Sequence, residues 1–578
     1  MNSKISKYLH YLSLLIFVAF AVLLLYINRE VLYTAHDRSE FLFGATFFKI
    51  IMLKPFGLIQ YVGAWLTQLF YSPAIGACAL GLIWTCIFYV GAKAFRLKGN
   101  ASALMILPIA CLLTAVVDLG YWIYVFTIRG YFFSQSVGYL MMVTLLWAAR
   151  CTPRKWHLLW YLFAVCSYPV LGWFALLFIV CLALTEKPSW SELVGLLLLF
   201  TTTIIWRRLL YSNIKFEEIS LAGFPIFEIP SSRSDFLSVP FWVLGALSIL
   251  FVLFSRFLTK WYVSILCSLI GIAFTLSLSF YDKNYIDEMR MVRCAEKENW
   301  KEVLNIAIGN PKPTISMVML KNVALMNEGG LLDISFKMGN DTYPISNPDS
   351  IPVSFLEIAS PVVYYNYGLV NESFRLAFEC AVQSGFSPCY LKMLLSCATA
   401  NGETELVNRY EAHLKNQLFY SDWQPNPMNK NIKELHNSYP DELTGVENSD
   451  SYLVNSLSLW YDADSKLASE QALFYSMMRC DSRRFWASLR NYIKFHTNEV
   501  FPLHAMEAYI MYFDKAPEEK KMKLPVSQDV YDHYNKFWTT LETLIKSGMD
   551  RNKIPEQMRS EFGDTYWYYN VFRRKIYK

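Results

Sequence analysis

The chain has 578 residues, of which 54% are hydrophobic and 16% aromatic, more apolar than the ~45 to 50% of soluble domains. Its formal charge of +5 is too small and too dispersed for the clustered Lys and Arg of a nucleic-acid-binding surface, so that class is excluded. The character changes near Phe280, with long apolar runs and short basic loops before it and a polar, helically patterned sequence after it.

Lys4 and Lys7 open the chain, and the apolar run 9–27 follows. That run is longer than the roughly 7 to 15 apolar residues of a signal peptide. Asn28, Arg29 and Glu30 stand where a small-residue cleavage pattern would be, so the run reads as a retained first span. A long loop, 28–72, carries His36, Asp37, Arg38 and Glu40, then the apolar stretches 41–53 and 56–71 divided by Lys54 and Pro55. Each stretch is short for a crossing and carries aromatic residues at helical spacing, which predicts helices lying in the membrane interface.

Further spans are expected at 73–92, 101–118, 131–149, 156–184, 190–206, 240–257 and 261–280, since a hydrocarbon layer of ~30 Å takes roughly 20 apolar residues. Lys4 and Lys7, then Lys93, Arg96 and Lys98, then Arg150, Arg154 and Lys155 fall on one side of the first four spans. The positive-inside rule makes that side cytoplasmic, with 28–72 and 118–130 facing outward. The run 156–184 would be ~43 Å long as one helix, and Pro169 and Gly172 interrupt it. Two short helices that turn back would give nine crossings and an external tail. One long tilted helix would give eight and a cytoplasmic tail. Arg207 and Arg208 favour the second arrangement and Lys187 and Lys260 the first; the expectation adopted is an external, periplasmic tail.

Seven of the twelve cysteines lie in or beside apolar runs, where Cys packs as a small hydrophobe. The other five, Cys294, Cys380, Cys389, Cys397 and Cys480, form no C-x-x-C pair and suggest no metal site, while a Cys380–Cys389 bridge stays open. No phosphate-binding loop, zinc-protease or nucleophile-elbow motif is present.

From Asn284 the apolar residues recur at helical spacing. The clearest unit runs 372–382, turns at Gly385 and Pro388, continues 390–400 and leads through Gly402 into 403–414. Its starts at Glu372 and Glu403 are about 31 residues apart, near the ~34-residue tetratricopeptide period. Stacked hairpins of that kind present a concave surface for a peptide or partner protein. The aromatic C-terminus, with Tyr566, Trp567, Tyr568, Tyr569 and Phe572, reads as a capping core. The fold class is therefore all-α: a polytopic transmembrane domain, 1–280, of eight or nine spans, then a soluble helical-repeat, TPR-like domain, 281–578.

With a first span, an external loop bearing Asp37, two juxtamembrane helices and a second acidic position at Asp118 in Val-Val-Asp-Leu-Gly, the layout of residues 1–280 resembles the GT-C superfamily of membrane glycosyltransferases. The Asp-Glu or Glu-X-Asp doublets of that group are not present. The stretches 54–73 and 322–333 also look like those of a Bacteroidetes family of multi-pass proteins with a helical-repeat tail, a likeness that implies an envelope location and supplies no activity. The GT-C resemblance implies transfer from a polyprenyl-phosphate-linked sugar on the external face of the inner membrane. Asp37 would be the acceptor base and Asp118 the second carboxylate, with Arg38, Arg129 and Arg207 holding the leaving phosphate and Glu40 beside them. The plain alternative makes Asp37, Arg38 and Glu40 solvated loop charges, Asp118 an interfacial partner of Arg129, and Arg207 a topology signal. No cofactor is expected, with a divalent cation left open. The competing function is a non-enzymatic scaffold whose anchored tail binds envelope proteins; a transporter is disfavoured by few charges within the spans and no inverted repeat.

Overall fold

Apolar runs that cannot be left in water become long helices, and the polar half becomes shorter ones that bury one face each. A computed structural model describes residues 3–125, 129–185, 190–227, 234–254, 260–343, 358–439, 450–497, 499–513 and 524–572. All regular structure among them is helical. The apolar half contains α1 (Ser3–Ile27), α2 (Arg29–Asp37), α3 (Ala45–Met52), α4 (Gly57–Thr67), α5 (Pro73–Ala94), α6 (Ile106–Val117), α7 (Tyr131–Cys151), α8 (His157–Leu171), α9 (Trp173–Ala183), α10 (Trp190–Leu209), α11 (Phe216–Ser220), α12 (Ser234–Phe254) and α13 (Tyr262–Leu278). A 3-10 helix, Gly99–Met105, runs directly into α6.

Five stretches among the described residues are long and apolar enough to cross a membrane: Tyr8–Ile27, Pro73–Ala94, Gly99–Val117, Tyr131–Cys151 and Phe236–Leu253. A sixth results if Tyr262–Leu278 is joined to Lys283–Glu296 across a 72° bend. Leu15, Leu82 and Phe200 stay exposed on the outside of this bundle, as lipid-facing side chains do. Three expected spans are not among the five: 190–206, within α10, is not one of them; 261–280 falls in the 17-residue α13, which counts only when joined to α14; and the run 156–184 is two helices of 15 and 11 residues. At 1.5 Å per residue neither reaches ~30 Å.

The contacts of that run set its direction. Glu192 at the start of α10 accepts a hydrogen bond from Arg154 at 3.1 Å and lies 3.3 Å from His157 Nδ1 at the start of α8. Near the other end, the Trp206 indole donates to the Val165 carbonyl at 2.6 Å. That carbonyl would have paired with the N–H of residue 169, which is proline, so the indole replaces the missing donor. Since α8 and α10 run parallel, α9 between them runs back, packed against both.

The reversal sits at Gly172, with Pro169 in the last turn of α8. Gly172 has φ +55°, and a Cβ there would stand 2.0 Å from the Ala222 carbonyl oxygen. That carbonyl accepts from the Trp173 N–H at 2.8 Å, and the Phe56 N–H reaches across from the loop before α4 to the Pro169 carbonyl at 2.7 Å.

The polar half continues as α14 (Lys283–Glu296), α15 (Trp300–Ile308), α16 (Ile315–Glu328), α17 (Leu331–Ile334), α18 (Ser360–Asn366), α19 (Val370–Ser384), α20 (Pro388–Asn401), α21 (Thr404–Lys415), α22 (Lys430–Ser438), α23 (Asp450–Leu457), α24 (Lys466–Met478), α25 (Ser482–Phe495), α26 (Leu503–Phe513), α27 (Gln528–Lys546), α28 (Ile554–Phe562) and α29 (Tyr566–Phe572). Neighbours in sequence pack as hairpins, α14 on α15 and α16, α18 through α21 in series, and α24 on α25. Tyr566, Trp567, Tyr568 and Tyr569 are buried against this core. One connected set of buried apolar side chains runs from Leu14 in α1 to Tyr569 in α29. At the change of character, the Phe280 N–H donates to the Val117 carbonyl at 3.2 Å, and its ring meets Tyr121 and Tyr285 at 5.9 and 5.2 Å. The tail thus starts directly on the loop that follows α6.

Candidate functional site: a charged seam between the first loop and the tail

The chain turns out of α1 at Asn28, whose amide donates back to the Leu24 carbonyl at 3.0 Å. Helix α2 then places Glu30, Tyr33 and Asp37 at spacings of three and four, on one face. Helix α14 packs on α2. Arg293 from α14 holds Glu30 at 2.6 Å, and its guanidinium lies 4.2 Å from the centre of the Tyr33 ring.

The end of α2 meets α20 and the segment after α21. Lys392 Nζ is 3.4 Å from Asp37 Oδ1 and 3.1 Å from Glu296 Oε2, so one ammonium bridges two carboxylates from different parts of the chain. Tyr420 donates its hydroxyl to Asp37 Oδ1 at 2.5 Å and stacks on His36 with ring centres 5.6 Å apart. Arg38 donates to the Tyr390 hydroxyl at 2.6 Å and the Tyr124 carbonyl at 3.1 Å. Its guanidinium lies 4.9 Å from the Tyr124 ring centre and 5.4 Å from that of Tyr390.

Beyond Arg38, Glu40 pairs with Arg129 at 3.0 Å and lies 3.8 Å from His413 Nε2. The tail comes so close here that a Cβ at Gly385, φ +102°, would stand 2.7 Å from Glu40 Oε2. A further acid ties the tail to the second loop: Glu288, fully buried in α14, accepts from the Tyr121 hydroxyl at 2.6 Å and from the Thr314 hydroxyl.

Side chains of Lys392, Asp37 and Glu296 are only 15, 25 and 25% exposed, so this triad is screened far less than a surface pair. Burial by itself would push the Asp37 carboxyl up, but Lys392, His36 and Tyr420 together hold it well below the usual carboxylate range. Burial pushes Glu296 up, opposed by Lys392 and reinforced by Asp37. Burial would lower Lys392, and the two carboxylates outweigh it and keep the ammonium charged.

Three adjoining cavities follow the seam. The central one spans about 730 Å³, open to solvent, between α2, α14, α18 and α20, and is lined by Glu30, Tyr33, Asp37, Arg38, Tyr124, Arg293, Glu296 and Tyr390 together with the apolar Met289, Val362 and Met393. A second, of about 760 Å³, shares Glu296, Val362, Cys389 and Met393 with it and extends to Tyr365, Lys392 and Trp423. The third, of about 680 Å³, shares Arg38, Tyr124 and Tyr390 and extends to Glu40 and Arg129. Among the described residues no group of three or more His, Cys, Asp or Glu is placed to hold a metal ion.

Of the residues singled out in the sequence, Asp37, Arg38, Glu40 and Arg129 come together along this seam. Asp118 caps the end of α6 and is 3% exposed, but it does not line the cavity that holds Asp37. Arg207 lies at the end of α10 with its guanidinium 5.5 Å from the Phe216 ring centre, outside all three cavities. Glu296, Tyr390, Lys392, His413 and Tyr420 belong to the site and were not singled out. One signal for them existed: Lys392 is a lone cation within the apolar helical run Tyr-Leu-Lys-Met-Leu-Leu.

Comparison with curated proteins finds no match, and none is found among solved structures. The family model that does match covers residues 4–573, nearly the whole chain, spans and tail together. The chain belongs to DUF6057, a family of unknown function.

Proposed function

We propose that this is an integral membrane protein of the bacterial envelope in which the loop 28–72 and the helical tail form one fixed assembly outside the membrane, acting as an anchored binding scaffold. The observation that carries this reading is the engagement of the loop carboxylates by tail side chains, above all Asp37 by Lys392 and Tyr420. A general base needs a free lone pair and a pKa near the working pH. Asp37 has a depressed pKa and an oxygen already accepting from Tyr420.

The same contacts support the sidedness. The tail touches residues 30–40 and 120–124, the two segments that the positive-inside rule turns outward. The reading counts α8 and α9, which reverse at Gly172, as separate passages, which makes nine and brings the tail to that side.

The second reading is lipid-linked sugar transfer by a GT-C-like membrane domain, with Asp37 as base, Asp118 as second carboxylate, and Arg38, Arg129, Arg207 and Glu40 around the donor. It is favoured by one feature, that Asp37 and Arg38 line a cavity beside the helices leaving the membrane. Complementation of a deletion strain at matched membrane abundance separates the two. The scaffold reading expects full rescue by Asp37→Asn, because Lys392 keeps Glu296 and Tyr420 keeps an oxygen acceptor, and failure of Lys392→Met, which strands two carboxylates. Loss of a general base costs ~10² to 10⁴ in rate. A loss of that size with Asp37→Asn, with the protein present and folded, establishes the catalytic reading instead.

A further inference from the structure

We infer that the central seam cavity binds a neutral, hydroxyl-rich ligand, a sugar unit with adjacent free hydroxyls. This goes beyond the scaffold reading and rests on it in one respect, that the seam is closed in the working protein.

Charge decides the ligand class first. Acidic and basic side chains alternate around the cavity and are tied to one another: Glu30 to Arg293, and Asp37 and Glu296 to Lys392. Arg38 adds a cation held between two tyrosine rings. Three carboxylates and two cations line the cavity, and Lys392, which lines the adjoining one, ties Asp37 and Glu296 and brings the formal charges of the group to zero; an anion meets Glu30, Asp37 and Glu296 and a cation meets Arg38 and Arg293. An ion pair with part of its surface still open offers an acceptor and a donor side by side. Neighbouring hydroxyls of a sugar ring match that pattern, one donating to the carboxylate and the next accepting from the guanidinium.

Shape agrees with charge. The lining also includes the apolar Met289, Val362 and Met393, suited to the C–H face of the same ring. Tyr33, half-buried and stacked on Arg293, supplies a fixed aromatic edge. The second cavity adjoins it, sharing Glu296, Val362, Cys389 and Met393. The cavity sits where α2 and α14 leave the ends of α1 and α13, so the sugar is either a free saccharide or the head of a membrane glycolipid.

The test uses the full chain in phospholipid nanodiscs. Saturation-transfer NMR and calorimetry are run with cellobiose as the soluble probe and with a glucosyl-diacylglycerol built into the disc as the lipid-borne one. Glucosamine and glucuronate are the charged controls. Binding of either neutral probe, weakened roughly tenfold by Tyr33→Leu, supports the inference, and the probe that binds identifies the source. Limited proteolysis runs alongside, with Lys392→Met as the opened-seam reference. Protease-resistant wild type that binds neither neutral probe, or that prefers a charged sugar, overturns the inference and leaves the scaffold reading standing. Wild type cleaved as readily as Lys392→Met removes both.

Discussion

Glu288 is a carboxyl taken wholly out of water to join α14 to the 3-10 helix Gly120–Tyr124. Burial, the largest influence, pushes it from 4.5 up to about 7 against the opposing hydrogen bonds from Thr314 and Tyr121, with Asp282 and Asp287 adding to the rise. The folded protein therefore keeps a proton that the unfolded chain releases above pH 4.5, and stability falls as pH rises from there to about 7, where the loss is complete. The melting temperature of the protein in nanodiscs is expected to drop by about 2 °C or more across that window. Glu288→Gln, which cannot ionise, should flatten that part of the profile; an unchanged slope would mean that Glu288 is not the group responsible. Asp37 works in the opposite sense, since its depressed pKa gives stability that is lost only below the ordinary carboxylate range. In the sequence, the acids and arginines of the first loop were visible because charges crowd between apolar runs. Their partners were not, because Lys392 and Tyr420 lie 355 and 383 residues from Asp37, and periodicity reports only local neighbours.

The pairing of α8 with α9 depends on one residue without a side chain. Gly172 combines a positive φ with backbone pressed against Ala222, so Gly172→Ala meets both strain and a clash. A loss of at least ~3 kcal/mol is expected, read as a lower melting temperature and a broadened size-exclusion peak. Pro169→Ala should be much milder, because it returns an N–H to the helix while Trp206 still holds the Val165 carbonyl. A benign Gly172→Ala would show that the reversal is not closed around this residue. The turn could be anticipated from the excess length of the run and from its Pro and Gly. Its place at Pro169 and Gly172 was legible too; the contacts that close it were not, because Ala222 and Phe56 come from other segments. The tail hairpins were readable from apolar spacing for the same reason that the seam was not: each helix's amphipathic face is local information.

At the scale of the whole chain, the proposed arrangement of nine passages would put the N-terminus and the tail on opposite sides. A C-terminal alkaline phosphatase fusion is then expected to be active and a C-terminal green fluorescent protein dark, and the reverse pattern would reject the arrangement. The compositional break near Phe280 falls just after α13, and the buried core continues through it. This continuity bears on how the protein is made. The first loop leaves the ribosome early, and Asp37 acquires Lys392 only after a further 355 residues have been synthesised. Arg129 and Arg293, the partners of Glu40 and Glu30, are made earlier, but Asp37 waits for Lys392 and Tyr420 until the tail can close over it. Maturation therefore ends where synthesis of the membrane part began. A chain stopped anywhere before α20 carries an unfinished seam, distinguishable from the finished protein by an open and protease-accessible first loop.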